Sequence, residues 1–157
     1  LRDLQMYDWF FALLRNQVFM AAIAAWTVAQ FTKILRDILN GSFRWERITG
    51  AGGMPSAHAA MVVATTVSSG LALGFDSPFF AISFVLSGIV MYDAAGVRRH
   101  AGRHARALNR IIQELKGEHP LKNIRLKELI GHSPMEVLVG ALQGLFVGWF
   151  VCRIIYT

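Results

Sequence analysis

The chain has 157 residues, enough for one domain, and 54% of them are hydrophobic while the formal net charge is +6. That apolar share, with a positive mean hydropathy, is high for a soluble domain of this length; it fits the charge if apolar residues lie in spans and basic ones in loops. The single Cys152 excludes an internal disulfide and a cysteine-based metal cluster, and it reads as a small apolar residue on a helix.

The start at Leu1, without a signal-peptide pattern, reads as a processed or truncated chain. Residues 1–16 mix Tyr7, Trp9, Phe10 and Phe11 with Arg2, Asp3, Asp8 and Arg15, which predicts a peripheral amphipathic segment. A first span is expected over about 18–35, with Ala21, Ala25 and Ala29 as a small-residue ridge for close helix packing. Lys33, Arg36 and Asp37 end it in charge, and a polar loop with Arg44 and Arg47 follows.

The stretch Gly50-Ala-Gly52-Gly53-Met54-Pro55-Ser56-Ala57-His58 organises the rest. Pro55 and Ser56 mark a helix start, and the second span runs over about 57–73. A helix N-terminus presents unpaired N–H groups and a positive dipole end. With Gly52 and Gly53 allowing close backbone approach, the stretch reads either as an anion site beside His58 or as a plain glycine turn and cap. A third span follows the turn at Gly74–Pro78, over about 78–92. At about 1.5 Å per residue the second and third spans are short for a full crossing.

Residues 94–131 form the most basic region. Arg99, Arg103, Arg106 and Arg110 recur at helical spacing opposite Leu108, Ile111, Ile112 and Leu115, which predicts an amphipathic helix along the membrane surface. Residues 122–130 read as a second short helix. Ser133-Pro134-Met135-Glu136 is a capping box that opens the last span, about 134–156. Gly140, Gly144 and Gly148 then repeat every four residues and mark a face for intimate helix contact. The fold predicted is an all-α integral membrane bundle of about four spans, one domain over 1–157, with a basic amphipathic surface helix. By the positive-inside rule the basic loops are cytoplasmic or stromal, since only Arg2, Arg15 and Arg153 fall on the other side.

The His58 loop, the Arg98-Arg99 pair and the Gly131-His132 corner should meet at that basic face. Arginine forks bind phosphate bidentately, and Lys33 adds a point charge. Two histidines near one phosphate point to phosphoryl transfer, one attacking and the other protonating the leaving oxygen. Glu136, four residues after His132, is placed to orient that imidazole as well as to cap the helix.

Met54-Pro55-Ser56-Ala57-His58 resembles the Pro-Ser-Gly-His motif of the type 2 phosphatidic acid phosphatase and vanadium haloperoxidase superfamily. His132-Ser-Pro-Met-Glu136-Val-Leu-Val-Gly140 resembles that superfamily's His-x-x-x-Asp-Val-Leu-Ala-Gly segment. Met91-Tyr-Asp-Ala-Ala-Gly-Val-Arg98-Arg99-His-Ala-Gly102 adds a resemblance to a divergent membrane branch found in bacteria and plants. The resemblance runs from about Val18 onward. It implies His132 as nucleophile, Glu136 as its orienting carboxylate and His58 as general acid. It places phosphate oxygens on Ser56 and the Gly53 amide, with Arg98 or Arg99 for the third motif and Lys33 with Arg44 or Arg47 for the first. No metal or cofactor is implied. Ala57 and Glu136 stand where the superfamily has glycine and aspartate, the Lys-x6-Arg-Pro motif is missing, and about thirty residues separate Arg99 from His132. His104 has the motif's spacing from Arg98 and is the reserve nucleophile, but Leu108 sits where its aspartate would be.

Two functions of different class follow. One is a metal-independent phosphatase acting on a lipid phosphate or isoprenoid diphosphate through a phosphohistidine. The other is a non-catalytic membrane subunit that binds anionic lipid or joins a larger complex through the Gly140/Gly144/Gly148 face. Nothing indicates a peroxide or halide pocket for vanadate-dependent oxidation, and the arginines of a membrane-flanking helix argue against nucleic acid. A plastid membrane or a bacterial plasma membrane suits the chain.

Overall fold

The computed structural model describes residues 2–41, 53–115, 126 and 131–156, which contain helices and no strand. Six α-helices follow in order: α1 (Arg2–Arg15), α2 (Gln17–Leu39), α3 (Ala57–Leu73), α4 (Pro78–Ala95), α5 (Val97–Leu115) and α6 (Pro134–Phe150). A π-helical turn, Val151–Ile155, continues α6. The short helix expected over 122–130 and the loop carrying Arg44 and Arg47 lie outside the described residues.

Local chemistry sets these boundaries. The Asn16 side chain accepts from the Phe19 N–H at 3.1 Å and starts α2, and Gly41 in the left-handed region (φ 62°) ends it. Ser77 caps α4 ahead of Pro78, and Ser133 caps α6 ahead of Pro134. In the α6 capping box the Ser133 Oγ accepts from the Glu136 N–H, while the Glu136 carboxylate accepts from the Ser133 N–H at 3.0 Å.

Three helical stretches are long and apolar enough to cross a membrane: Gln17–Leu39, Pro78–Ala95 and Pro134–Ile155. The 17-residue α3 spans only about 25 Å, short of a hydrocarbon core of about 30 Å. It is instead the centre of the bundle, packed against α2, α4 and α6. The C-terminal parts of α2 and α4 meet the N-terminal ends of α3 and α6, with Lys33 beside Gly53 and the Ala94 carbonyl bonded to the His132 N–H. At the opposite end, the Tyr156 hydroxyl donates to the Leu14 carbonyl and ties the end of α6 to the α1–α2 elbow.

The interior is built from small residues. Ala21, Ala25 and Ala29 of α2 interlock with Ala57, Ala60 and Ala64 of α3, joined by Val147 and Val151. Gly140, Gly144 and Gly148 lie on α3: a Cβ on them would stand 2.3 Å from the Ser56 carbonyl oxygen, 2.2 Å from that of Ala60 and 2.9 Å from that of Ala64. This corrects the expectation that the glycine face serves a larger complex. Helix α3 already covers it, because only glycine lets two backbones approach so closely. On the α3–α4 side the Thr66 and Ser87 hydroxyls are 2.7 Å apart, and Ser87 donates to the Val62 carbonyl at 2.8 Å. Large apolar side chains such as Phe31, Phe84, Ile89, Leu142 and Phe146 point outward, where lipid would solvate them.

Candidate functional site: a histidine pair at the basic end

Four chain segments meet where α2 and α4 end and α3 and α6 begin. Ser56 is the N-cap of α3; its Oγ accepts from the Ala59 N–H at 3.4 Å, and its own N–H donates to the Glu136 carbonyl at 2.9 Å. That backbone bond, with Gly140 seated against Ser56, locks the α3 start to the first turn of α6. The His132 N–H donates to the Ala94 carbonyl at 3.0 Å, so the end of α4 fixes the residue just before α6. Ala94 was not anticipated, and no side-chain signal could have revealed a carbonyl's role.

His58, one residue into α3, lies beside His132 with ring centroids 6.2 Å apart at 62°. His58 is exposed, whereas His132 is 3% exposed. The His132 Nδ1 lies 3.2 Å from the Glu136 Oε2, and the same oxygen accepts from the Ser133 N–H. Orienting the imidazole and capping the helix are thus one arrangement. An N–H at Nδ1 facing the carboxylate leaves the Nε2 lone pair for other chemistry. The Gly53 backbone also lies beside the His132 ring. Gly53 sits at φ 86°, where a Cβ would stand 4.0 Å from the Lys33 Cδ, so Lys33 of α2 reaches this corner.

Burial is the largest influence on His132 and holds its pKa below the ordinary 6.5; the Lys33 charge acts in the same direction, while Glu136 and the Gly53 backbone oppose both. The ring is therefore biased toward the neutral imidazole. Among the described residues no group of three or more His, Cys, Asp or Glu side chains is arranged to hold a metal.

The structure thus assembles His58, His132, Glu136, Lys33 and Gly53 in one corner. Ser56 is there too, but it is fully buried and its hydroxyl faces inward as the cap. Helix α5 begins immediately beyond the His132–Ala94 contact, so Arg98 and Arg99 sit in its first turn, although their side chains lie outside the described part. Arg44 and Arg47 are outside the described residues altogether. His104 is exposed on α5, and the ring contact with His58 belongs to His132.

Comparison with known proteins gives a consistent answer. The family described as "Divergent PAP2 family" matches over residues 14–147. The chain is similar to an uncharacterized membrane protein of Bacillus subtilis, YuiD, with 37% identity over 147 residues, covering 86% of this chain and 93% of the relative. No solved structure matches.

Proposed function

The chain belongs to the divergent PAP2 family of membrane proteins, and on that premise we propose that it is a phosphatase acting on a lipid phosphate or isoprenoid diphosphate through a phosphohistidine. The observation that carries this reading is the His58–His132 ring contact with Glu136 on the His132 Nδ1. In this reading the neutral Nε2 of His132 attacks phosphorus and the bond to the ester oxygen breaks. His58 donates a proton to that leaving oxygen. Water then attacks the phosphohistidine, His58 takes its proton, and inorganic phosphate leaves with His132 restored. Lys33 offsets charge on the equatorial oxygens, and Arg98 or Arg99 is assigned the part of the third-motif arginine on the phosphate. Because His58 is exposed and His132 is not, the phosphoryl group enters past His58. The site then lies at the basic, cytoplasmic or stromal face, in a bacterial plasma membrane or a plastid membrane.

The test is phosphate release by the detergent-solubilised protein from a panel of lipid phosphates and isoprenoid diphosphates, with vanadate as competitor. Release that His132→Ala and His58→Ala both abolish is the expected result. Release that needs His58 and His104 but not His132 would move the nucleophile. A folded sample that releases nothing and gains no thermal protection from vanadate would overturn catalysis and favour a lipid-binding subunit.

A further inference from the structure

A second concavity lies at the other end of the bundle. It is a slot of about 940 Å³ between the α1–α2 elbow, the C-terminal half of α3 and the N-terminal half of α4. Its lining follows α3 from Thr65 to Leu73, eight residues or about 12 Å. Ser69 in its wall and Ser56 at the histidine corner are thirteen residues apart on α3, so about 20 Å separate the two sites.

The slot's chemistry is lopsided. Its walls carry Phe79, Ile82 and Leu86 of α4, all exposed. The hydroxyls of Thr65 and Ser83 both turn back onto their own helices, to the Met61 and Phe80 carbonyls at 2.9 Å. Asn16, Gln17 and Ser69 add polar groups to a lining that is otherwise mostly hydrocarbon. Among the described side chains that line it, Arg15 is the single ionisable one. The Tyr156–Leu14 hydrogen bond fixes the chain directly beside that arginine. A largely apolar slot that follows about two turns of α3, with Arg15 in its lining, matches an amphiphile with an acyl tail and an anionic head.

We propose that this slot binds an anionic phospholipid of the surrounding membrane, its acyl chain along Phe79, Ile82 and Leu86 and its phosphate against Arg15. A soluble phosphate would leave the apolar walls unfilled, and a neutral lipid would leave Arg15 without a counter-charge. This site is separate from the histidine corner.

The experiment uses the full chain in liposomes doped with phosphatidylglycerol carrying a photoactivatable diazirine on its acyl chain, and in parallel the phosphatidylcholine analogue. Adduct positions are mapped by mass spectrometry. Adducts of the anionic probe should concentrate on Leu73, Phe79 and Ile82 over the equally lipid-facing Leu138, Leu142 and Phe146 of α6. Arg15→Gln should lower slot labelling by the anionic probe roughly five-fold, the contribution of one basic residue near a membrane surface. Labelling by the choline probe should be unchanged. Adducts spread evenly around the bundle would overturn the proposal, as would slot labelling by phosphatidylglycerol that Arg15→Gln leaves intact. The wild-type map stands whatever the variant's stability, and phosphate release should be indifferent to Arg15→Gln.

Discussion

Replacing Gly144 by alanine adds one methyl group at the tightest contact between α3 and α6. The new Cβ would stand 2.2 Å from the Ala60 carbonyl oxygen and 2.9 Å from the Ala60 Cα and carbonyl carbon, where ordinary contact begins at 3.4 Å. All three obstructing atoms are backbone within a helix, so no rotamer change relieves the overlap. Helix α6 must withdraw by about 1.2 Å from α3. Overpacking of this kind costs about 1–3 kcal/mol. The withdrawal also stretches the neighbouring Ser56 N–H to Glu136 carbonyl bond, worth about 1 kcal/mol. Alanine's better helix propensity returns up to about 1 kcal/mol. The net expectation is a loss of about 1–4 kcal/mol, seen as a fall of roughly 4–12 °C in the thermal unfolding midpoint in detergent. Gly88 of α4 supplies the control, because a Cβ there meets nothing within 4 Å. Gly88→Ala should be neutral or slightly stabilising. A Gly144→Ala protein that unfolds no earlier than Gly88→Ala would refute the close backbone contact on which this bundle rests.

Three further outcomes are expected. Glu136→Gln keeps a residue that capping boxes accept but removes the charge facing the His132 Nδ1; the thermal midpoint should move little while phosphate release falls by roughly 10²-fold or more. Equal losses in Glu136→Gln and Glu136→Ala stability would instead make the carboxylate purely structural. Because His132 is held below 6.5 in the fold, the unfolded chain binds the extra proton first as pH drops. Stability is therefore fully present above pH 6.5 and is lost as pH falls from there through the lower folded value; the melting midpoint should decline across that window more steeply in the wild type than in His132→Gln. Thr66→Val and Ser87→Ala, combined in a double-mutant cycle, should show a coupling of about 0.6–1.7 kcal/mol for the hydroxyl pair joining α3 and α4; strict additivity would count against it.

Much of the helical layout was legible because the signals are local. Ser56, Ser77-Pro78 and Ser133-Pro134 are start signals that act within one turn, and α3 and α6 begin where these residues require. The Ala21/Ala25/Ala29 ridge was readable as a packing face for the same reason, since four-residue spacing defines a stripe without any tertiary knowledge. Spacing cannot name the neighbour. Nothing in Gly140, Gly144 and Gly148 says whether the stripe meets another protein or α3, and the structure resolves it inward. Similarly, the His132–Glu136 pairing followed from helical periodicity, whereas the anchoring of His132 by the Ala94 carbonyl depends on how two distant helix ends meet. Ser56 was legible as a cap, but its burial under Gly140 comes only from the packing of α6.

The core of this bundle inverts a common experimental habit. The largest side chains fully enclosed among the described residues are serines, Ser56 and Ser68, and around them stand alanines and glycines. Truncating core side chains to alanine, the usual way to find what holds a protein together, would pass over most of this interior in silence. The informative scan runs the other way. Substituting leucine position by position would leave the lipid-facing surface untouched and draw the three contact lines of α3 as a pattern of failures, a map of the bundle written in added volume.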